Sequence, residues 1–417
     1  LDKSDLIVRT NKYRIYPNAV QKSLLFNLFS NSRFIWNNTL GRIKDGEYGM
    51  YKTKDDRILP KIPSMTEIIK YSSKLKQDYE FIKIANDFSQ AELYNLYMSL
   101  REFKRKPERG YPKFKSRKHD YGSISSRAGF RIKIKDNHIT LPSSRESQFN
   151  KSDHILKFKK HQTNYEIEKI TGISIKKDNL DRYWLTVTGY TEPNVTSKNK
   201  RTKVGIDVGL KELLTCSDGT VVKNKRFTIK YHEKLVILQR RLSKKKRGSK
   251  NRTKARIKVA KCHDKIKNCR NYNNHVISRN LINIYDFIGL ESLSIQDMMK
   301  NKQLSKSIQD VSWYQIISNL KYKASENQTS IVQINRWFPS SKTCSKCGNI
   351  KSDLKLSDRT YHCSECGLEI DRDLNASINI YNEASRLQSL SRNTRKDFKN
   401  VCGVLNYQNI EAEKMAG

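Results

Sequence analysis

The sequence predicts a multidomain α+β protein: a β-barrel interrupted by an inserted helical lobe, then an α/β domain carrying an inserted four-cysteine ribbon. Three observations predict it. Residues 109–192 alternate apolar and polar positions in short runs, residues 203–291 hold nearly continuous apolar strands around a long lysine-rich stretch, and two C-x2-C pairs follow. At 417 residues and 36% hydrophobic, the chain can bury several cores, and its 21 Tyr, 14 Phe and 4 Trp argue against disorder. Its 82 Lys and Arg against 42 Asp and Glu leave a formal charge of +40, which points to a polyanionic partner. No apolar run approaches the roughly 18 residues of a membrane span, and the opening LDKSDLIVRT lacks the apolar core of a secretion signal. The expected location is intracellular: cytoplasm or nucleoid in a prokaryote, nucleus in a eukaryote or its virus.

The elements follow in order. Residues 1–17 supply a strand, Leu6 to Tyr16, stopped by Pro17 and expected to join the later barrel. Residues 18–108 form the helical lobe. Gln21 to Gly46 places Leu24, Leu25, Leu28, Phe34, Ile35 and Leu40 at helical spacing, with a break expected near Ser30 to Ser32. Two more helices lie between Met65 and Lys106, and Tyr79, Phe81 and Phe88 are candidates for stacking on nucleic acid. Residues 109–192 make the barrel, with FRIKIKD, HITLP, HILKFKKH, YEIEKITGISIKKD and RYWLTVTGY as strands and Asp136-Asn137 and Asp178-Asn179 as turns. After a polar linker at 193–202, residues 203–338 begin the α/β domain with KVGIDVGLKELLTCSDG, two strands ending in an Asp218-Gly219 hairpin turn. Lys230 to Arg270 then holds 17 basic and two acidic residues, a basic helical hairpin whose charge is relieved by phosphates. Arg240, Arg241, Lys244, Lys245, Lys246, Arg252 and Arg256 are its candidate contacts. IYDFIGLE reads as a buried strand whose acidic tip reaches a cleft.

Cys344, Cys347, Cys363 and Cys366 occupy residues 339–370 with a glycine after each pair, Gly348 and Gly367. Fifteen residues separate the pairs, the ligand count and spacing of one closed tetrahedral structural zinc site. The glycines let the backbone curl so that its amides point at the thiolates. Cys216, Cys262, Cys269 and Cys402 read as reduced thiols, although Cys262, His263 and Cys269 could be drawn as a second metal group. The last part of the α/β domain, 371–392, is a helix, and 393–417 is a loose polar tail.

Three acids stand at the ends of core elements: Asp207 and Glu291 on apolar strands and Asp373 at a helix start. Each alone is weak, since Asp373 could be only a helix cap. Their order is how RNase H-like folds bring carboxylates together over a central sheet. Carboxylates are hard ligands suited to Mg²⁺, and two such ions roughly 4 Å apart can activate water and stabilise the leaving 3′ oxygen of a phosphodiester. Asp207 would bridge the ions, Glu291 and Asp373 would complete one ion each, and Asp371 would be an auxiliary ligand or a loop acid pairing with Arg372. Gly205 and Gly209 are expected to keep the Asp207 turn open to a phosphate backbone.

GIDVGLKELLTCSDG, IGLESLSI, FPSSKTCSKCG, YHCSECG and DRDLNASINI resemble the TnpB proteins of insertion sequences, and with them the compact type V CRISPR nucleases and the Fanzor proteins that share the RuvC domain. The resemblance is strong from about Thr202 to Ser385 and weaker in KYRIYPNAVQ, SRFIWNN and YPKFKSRK. By position, Asp207, Glu291 and Asp373 match the three RuvC acids, and the four cysteines match the family's target-nucleic-acid-binding ribbon. The resemblance implies a Mg²⁺-dependent RNA-guided endonuclease. A structured RNA encoded near the transposon end would guide one monomeric protein to double-stranded DNA, and the protein itself would read only a short flanking motif. Lys113, Lys115 and Lys118 in the basic turn, Arg131, Lys133 and Lys135 on one barrel strand and Lys157 and Lys159 on another become candidate nucleic-acid contacts, or the solvated face of a barrel. Three alternatives stand beside it: a guided DNA-binding repressor without cleavage, a zinc-ribbon nucleic-acid-binding protein with structural acids, and a transposase in the strict sense.

Overall fold

The computed structural model describes residues 6–52, 56, 58–81, 86–116, 122–127, 132–143, 148–160, 167–192, 202–355 and 357–393. The chain divides into two compact units, Leu1–Glu192 and Pro193–Gly417, each mixed α/β in make-up. Among the described residues no helix is long and apolar enough to cross a membrane.

In the first unit, β1 (Ile7–Ile15) leads into α1 (Ala19–Lys44), a small hairpin of β2 (Met50–Lys52) and β3 (Ile58–Pro60), α2 (Met65–Asp78) and α3 (Asn86–Arg105). The strands β4 (Ser123–Arg127), β5 (Lys133–Lys135), β6 (His138–Thr140), β7 (Ile155–Lys159), β8 (Lys169–Lys177) and β9 (Tyr183–Thr191) follow. The first strand does join the later ones: the antiparallel order is β4-β8-β9-β1-β7-β6-β5, with β1 paired to β9 along its whole length. Strands from across this order feed one core, including Ile124, Ile139, Phe158, Ile175 and Leu185, so the sheet curls around it. Where a closed barrel was expected, β4 and β5 remain the edges, with no pairing between them among the described residues.

The expected break in α1 does not occur. The helix starts on an Asn18–Gln21 capping box and runs 26 residues. Asn31 and Ser32 are buried inside it, and Asn31 Nδ2 donates to the Phe81 carbonyl at 2.6 Å, so the polar pair makes a tertiary contact instead of ending the helix. The early half of α1 gives Leu24, Leu25 and Leu28 to the sheet core, while Trp36, Leu40 and Ile43 pack on Leu96 and Leu100 of α3.

The second unit is built on a five-stranded sheet. Its strands are β10 (Lys203–Val208), β11 (Glu212–Cys216), β12 (Val221–Lys223), β13 (Phe287–Glu291) and β14 (Ser330–Ile334), in the order β12-β11-β10-β13-β14. The first three are antiparallel, and β10, β13 and β14 are parallel. Parallel neighbours need long crossovers. Those are α4 (Phe227–Lys230), α5 (His232–Ser243) and α6 (Lys250–Ile284) before β13, and α7 (Ile295–Met298), α8 (Ser305–Val311) and α9 (Trp313–Glu326) after it. The ribbon hairpin, β15 (Thr360–His362) and β16 (Glu369–Asp371), runs directly into α10 (Arg372–Asn393). One sheet face, carrying Val204, Ile206, Ile288 and Leu290, packs on α6, α8 and α9; the other, with Phe287, packs on Ile380 and Ala384 of α10.

Period-2 alternation puts Gly205 and Gly289 on the α10 face, directly paired across β10 and β13. A Cβ at Gly205 would stand 2.2 Å from the Ser377 carbonyl oxygen and 2.4 Å from the Tyr381 nitrogen, and one at Gly289 would stand 2.8 Å from the Ala384 Cβ. These glycines therefore admit the helix, which replaces the expectation that Gly205 clears a path for phosphate. Gly209 is confined by the Glu212 carbonyl, 2.7 Å from where its Cβ would lie, so it shapes the turn itself. Gly205→Ala is expected to destabilise the protein by about 3 kcal/mol, because backbone must move to admit the methyl. Urea denaturation of variant and parent checks this, and an unchanged midpoint would contradict the packing role.

Candidate active site

Asp207 and Glu291 are the next α10-facing positions after the two glycines, so each strand carries a glycine, one core residue and then an acid. The parallel pairing of Ile206 with Leu290 sets both acids at the same level, at the carboxyl ends of adjacent strands. Helix α10, seated on the glycines, brings Asp373 to the same place. The three acids line one cleft of about 390 Å³ with Lys211, Arg359 and Arg372 at its walls. Burial, then the neighbouring Glu291 and Asp373, push the Asp207 carboxyl up to about 8, and burial raises Glu291 as well. A cation beside Asp207 would favour its charged form, and hard oxygen donors fit Mg²⁺.

Asp371 settles which acid caps the helix. Its Oδ1 accepts from the amides of Asp373 (2.9 Å) and Leu374 (3.0 Å), the pattern of an N-cap. Asp373 is thereby free of capping and faces the cleft, while Arg372 pairs with Asp373 at 3.5 Å, not with Asp371.

The four cysteines come together. Their sulfurs lie within 4.8 Å of one another, with Cys344–Cys366 at 3.5 Å and Cys347–Cys363 at 3.6 Å. A disulfide would need about 2.05 Å, whereas four sulfurs about 2.3 Å from a central ion sit near this separation. The cluster fits a zinc ribbon. The two knuckles are copies: Gly348 and Gly367 take positive φ and donate to the Cys344 and Cys363 carbonyls. Backbone amides of Cys366 and Glu365 donate to the Cys363 thiol and draw it down to about 6, so a thiolate is available near neutrality. His263 does not join Cys262 and Cys269 in a metal group among the described residues.

Sequence reading missed Asn375 and Asn379, which tie ribbon to helix. Asn375 accepts from the Ser345 amide at 3.0 Å and donates to the Thr343 carbonyl at 2.7 Å, and Asn379 donates to the Ser340 carbonyl at 2.8 Å. Both are buried. The available signal was two asparagines four apart on an apolar helix face. Asn375→Ala leaves the Ser345 amide unpaired and takes one of two donors from the Thr343 carbonyl, which Asn379 also serves, so it is expected to cost about 1–2 kcal/mol; thermal melts check this, and an unaltered melting temperature would refute the clamp.

The candidate nucleic-acid contacts fall in both units. Lys118 and Arg131 lie outside the described residues. The Lys113 carbonyl accepts from Trp36 Nε1 at 3.0 Å, and Lys115 pairs with buried Glu92 over the Trp36 ring, so this turn is bound into its own unit. Lys133, Lys157 and Lys159 are exposed on the face of the sheet away from the core. Arg240, Arg241, Lys244, Lys245, Lys246 and Arg256 are exposed along α5, the turn and α6. Arg252 instead donates to the Leu242 and Lys245 carbonyls and closes that turn. Phe88 is core, whereas Tyr79 and Phe81 are exposed beside Phe34.

Three family domains match the chain in succession. Residues 8–47 match the "Helix-turn-helix domain" of IS605 OrfB proteins, 185–302 the IS605 OrfB domain described as "Probable transposase", and 313–380 the "Cas12f1-like, TNB domain". The chain carries domains of the TnpB/IS605 transposase family. The first of these matches holds β1 and the single helix α1. A relative from Streptomyces pristinaespiralis, named "Putative RNA-guided DNA endonuclease", is 29% identical over 90% of this chain and 89% of its own length. InsQ of Escherichia coli K12, with the same description, is 22% identical over 88% and 90%. The "CRISPR-associated endodeoxyribonuclease Cas12f1" of Sulfoacidibacillus thermotolerans is 24% identical over 49% of this chain and 51% of its own. Among solved structures, a Cas12f1–sgRNA–target DNA complex covers 90% of this chain and 99% of its own at 16% identity with a TM-score of 0.34, and the CRISPR-Cas_phi3 endonuclease covers 91% and 93% at 9% identity with a TM-score of 0.47.

Proposed function

We propose that this TnpB protein is an RNA-guided DNA endonuclease that hydrolyses guide-matched double-stranded DNA in the cleft of its second unit. The observation that carries the reading is the convergence of Asp207, Glu291 and Asp373 on one cleft, in a chain related over 90% of its length to a protein of that description. We read the five-stranded sheet with its two helical faces as an RNase H-like RuvC domain, and the cysteine hairpin as its inserted zinc ribbon. Asp207, Glu291 and Asp373 would hold Mg²⁺, which when bound supplies a Lewis acid for the attacking water and the departing 3′ oxygen. The Asp371 cap together with the asparagine clamp fixes where Asp373 stands beside Asp207. Lys211, Arg359 and Arg372 give the acidic floor a cationic wall, so that a phosphodiester can enter. The curled sheet with its helical lobe would hold the guide RNA, encoded near the transposon end, and read the flanking motif. We read the protein as acting in a single copy, a reading supported by the presence of all three acids in one chain.

The test is to purify the protein with its RNA, sequence that RNA, and offer a plasmid matching its 3′ end behind a randomised flank. Cleavage that stops with EDTA or with Asp207→Ala supports the nuclease. Tight target binding without cutting would establish a guided binder instead.

A further inference from the structure

Helix α9 begins at the cleft and leaves its first amides open. A short turn joins its end at Glu326 to β14 at Ser330, and Ile316, Leu320 and Ala324 pack along the sheet core, so the helix runs back beside the strand it feeds. That strand is parallel to β13 and finishes level with Glu291, which pairs with Ile334. A helix of 14 residues spans about 21 Å and a five-residue strand about 16 Å. The first residue of α9 therefore stands at the carboxyl end of the sheet, where Asp207 and Glu291 lie. That residue is Trp313, and it lines the same cleft as the three acids.

No side chain caps this helix. Ser312, just before it, takes the left-handed region with φ 55° and ψ 43°, and its hydroxyl donates to the Gln309 carbonyl at 3.1 Å instead of accepting from the helix. The first amides to find a partner are those of Gln315 and Ile316, on the Ser312 carbonyl at 2.9 and 3.2 Å. The amides of Trp313 and Tyr314, ahead of them, have no acceptor among the described residues. The nearest acid along the chain, Asp310, is already spent on α4, where it accepts from the Thr228 amide at 3.1 Å and the Thr228 hydroxyl at 2.6 Å.

The Trp313 ring gives an independent sign. The residue is 3% exposed, yet its Nε1 makes no hydrogen bond, and native structures keep few buried donors without a ligand, ion or water to receive them. Helical side chains lean toward the helix N-terminus, so at the first position the indole reaches past the helix start to the wall of the cleft. Two backbone donors and one ring donor are thus offered at one end of one helix, with the positive end of its dipole behind them.

We infer that the start of α9 is a phosphate site, which holds a phosphate of the DNA strand next to the one being cut, on the side of the cleft away from α10. The inference rests on the nuclease reading and adds a contact made without any charged side chain. Free amides at a helix start suit a phosphate. Lysine and arginine at the other walls attract any anion, whereas N–H groups of fixed direction select where its oxygens sit. A strand held there presents its neighbouring phosphodiester to the acids in one position.

The experiment uses the full-length protein with its copurified RNA and compares the parent with Ser312→Asp, Ser312→Asn and Trp313→Phe. Both replacements of Ser312 tolerate the left-handed region, and only the first sets a negative charge against the free amides. Each protein is given guide-matched DNA in which a single neutral methylphosphonate is walked across the phosphates on either side of the cut. The expected result is one neighbouring position at which the parent slows by about tenfold, and at which Ser312→Asp and Trp313→Phe lose little beyond what they have already lost. On unmodified DNA, Ser312→Asp should cut about tenfold more slowly than Ser312→Asn, with target binding in EDTA equal for the two. Metal-free Ser312→Asp should melt no lower than Ser312→Asn, because an acid at a helix start favours the helix. Equal cleavage by the two Ser312 variants overturns the inference and leaves the nuclease reading intact, as does a parent with no sensitive position. A lower melting temperature for Ser312→Asp would make the helix start structural and overturn it too. A parent that does not cut matched DNA at all sinks the nuclease reading, and this site with it.

Discussion

Asp207→Asn abolishes DNA cleavage, by about a thousandfold or more, and simultaneously stabilises the metal-free protein at pH 8. The first effect follows from removing a carboxylate placed between two others in one cleft, where the cation that neutralises the set must bind. The second follows from linkage. The folded Asp207 carboxyl sits at about 8 against an ordinary 3.8, so the folded state holds a proton that the unfolded chain has released. Below about pH 4 both states are protonated and the group contributes nothing; between about 4 and 8 folding stability falls with rising pH, by up to about 1.4 kcal/mol per pH unit. Asparagine carries no such proton. Melting temperatures of EDTA-treated parent and variant should therefore coincide near pH 4 and diverge in favour of the variant by pH 8. Mg²⁺ should raise the parent's melting temperature at pH 8 by replacing the proton, and should do less for the variant. A parent more stable than Asp207→Asn at pH 8 without metal would show that burial and the neighbouring acids do not raise the Asp207 carboxyl.

Stripping the ribbon of its metal, by chelation or by Cys363→Ser, should remove one zinc per chain, open residues 340–370 to protease and reduce cleavage by about a hundredfold or more. Among the described residues the ribbon's own core is Cys344, Tyr361 and Cys363, with Leu354, Cys366, Leu368 and Ile370 partly buried around it, too little to fold without an ion. Its disorder would reach the cleft by a definite route, because Thr343 and Ser345 are held by Asn375 two residues beyond Asp373. RNA binding, which we propose for the first unit, should survive, which separates this loss from general unfolding. Metal analysis, limited proteolysis and plasmid cleavage on one preparation check the three parts, and a Cys363→Ser protein with full zinc content and activity would overturn the assignment.

Local patterns carried much of this architecture because they report local physics. Alternation in RYWLTVTGY marks a strand with one face buried, and C-x2-C followed by glycine marks a knuckle whatever surrounds it. The acids at 207 and 291 were visible as polar tips on apolar runs. What stayed hidden depends on partners far away in sequence. The task of Gly205 cannot be read until Gly289 is known to be its neighbour and α10 to lie across both. Asp371 and Asp373 are two residues apart, and either could cap a helix; only the amides they meet decide. Ser30 to Ser32 looked like a helix end because polar residues favour ends in isolation, yet Asn31 is spent on the Phe81 carbonyl. Arg252 was indistinguishable from its basic neighbours until the turn it closes was placed.

The late arrival of α10 has a consequence for the protein's biosynthesis. A nascent chain that has emerged as far as Ile334 already owns every strand of the five-stranded sheet, yet its glycine face is bare and one of the three carboxylates has not been made. A product of termination between Ile334 and Arg372 would keep the basic helices of the earlier sequence while lacking the third acid. Such a fragment could compete for nucleic acid but could not hold the full carboxylate set, so synthesis of α10 acts as the gate on assembly of the cleft.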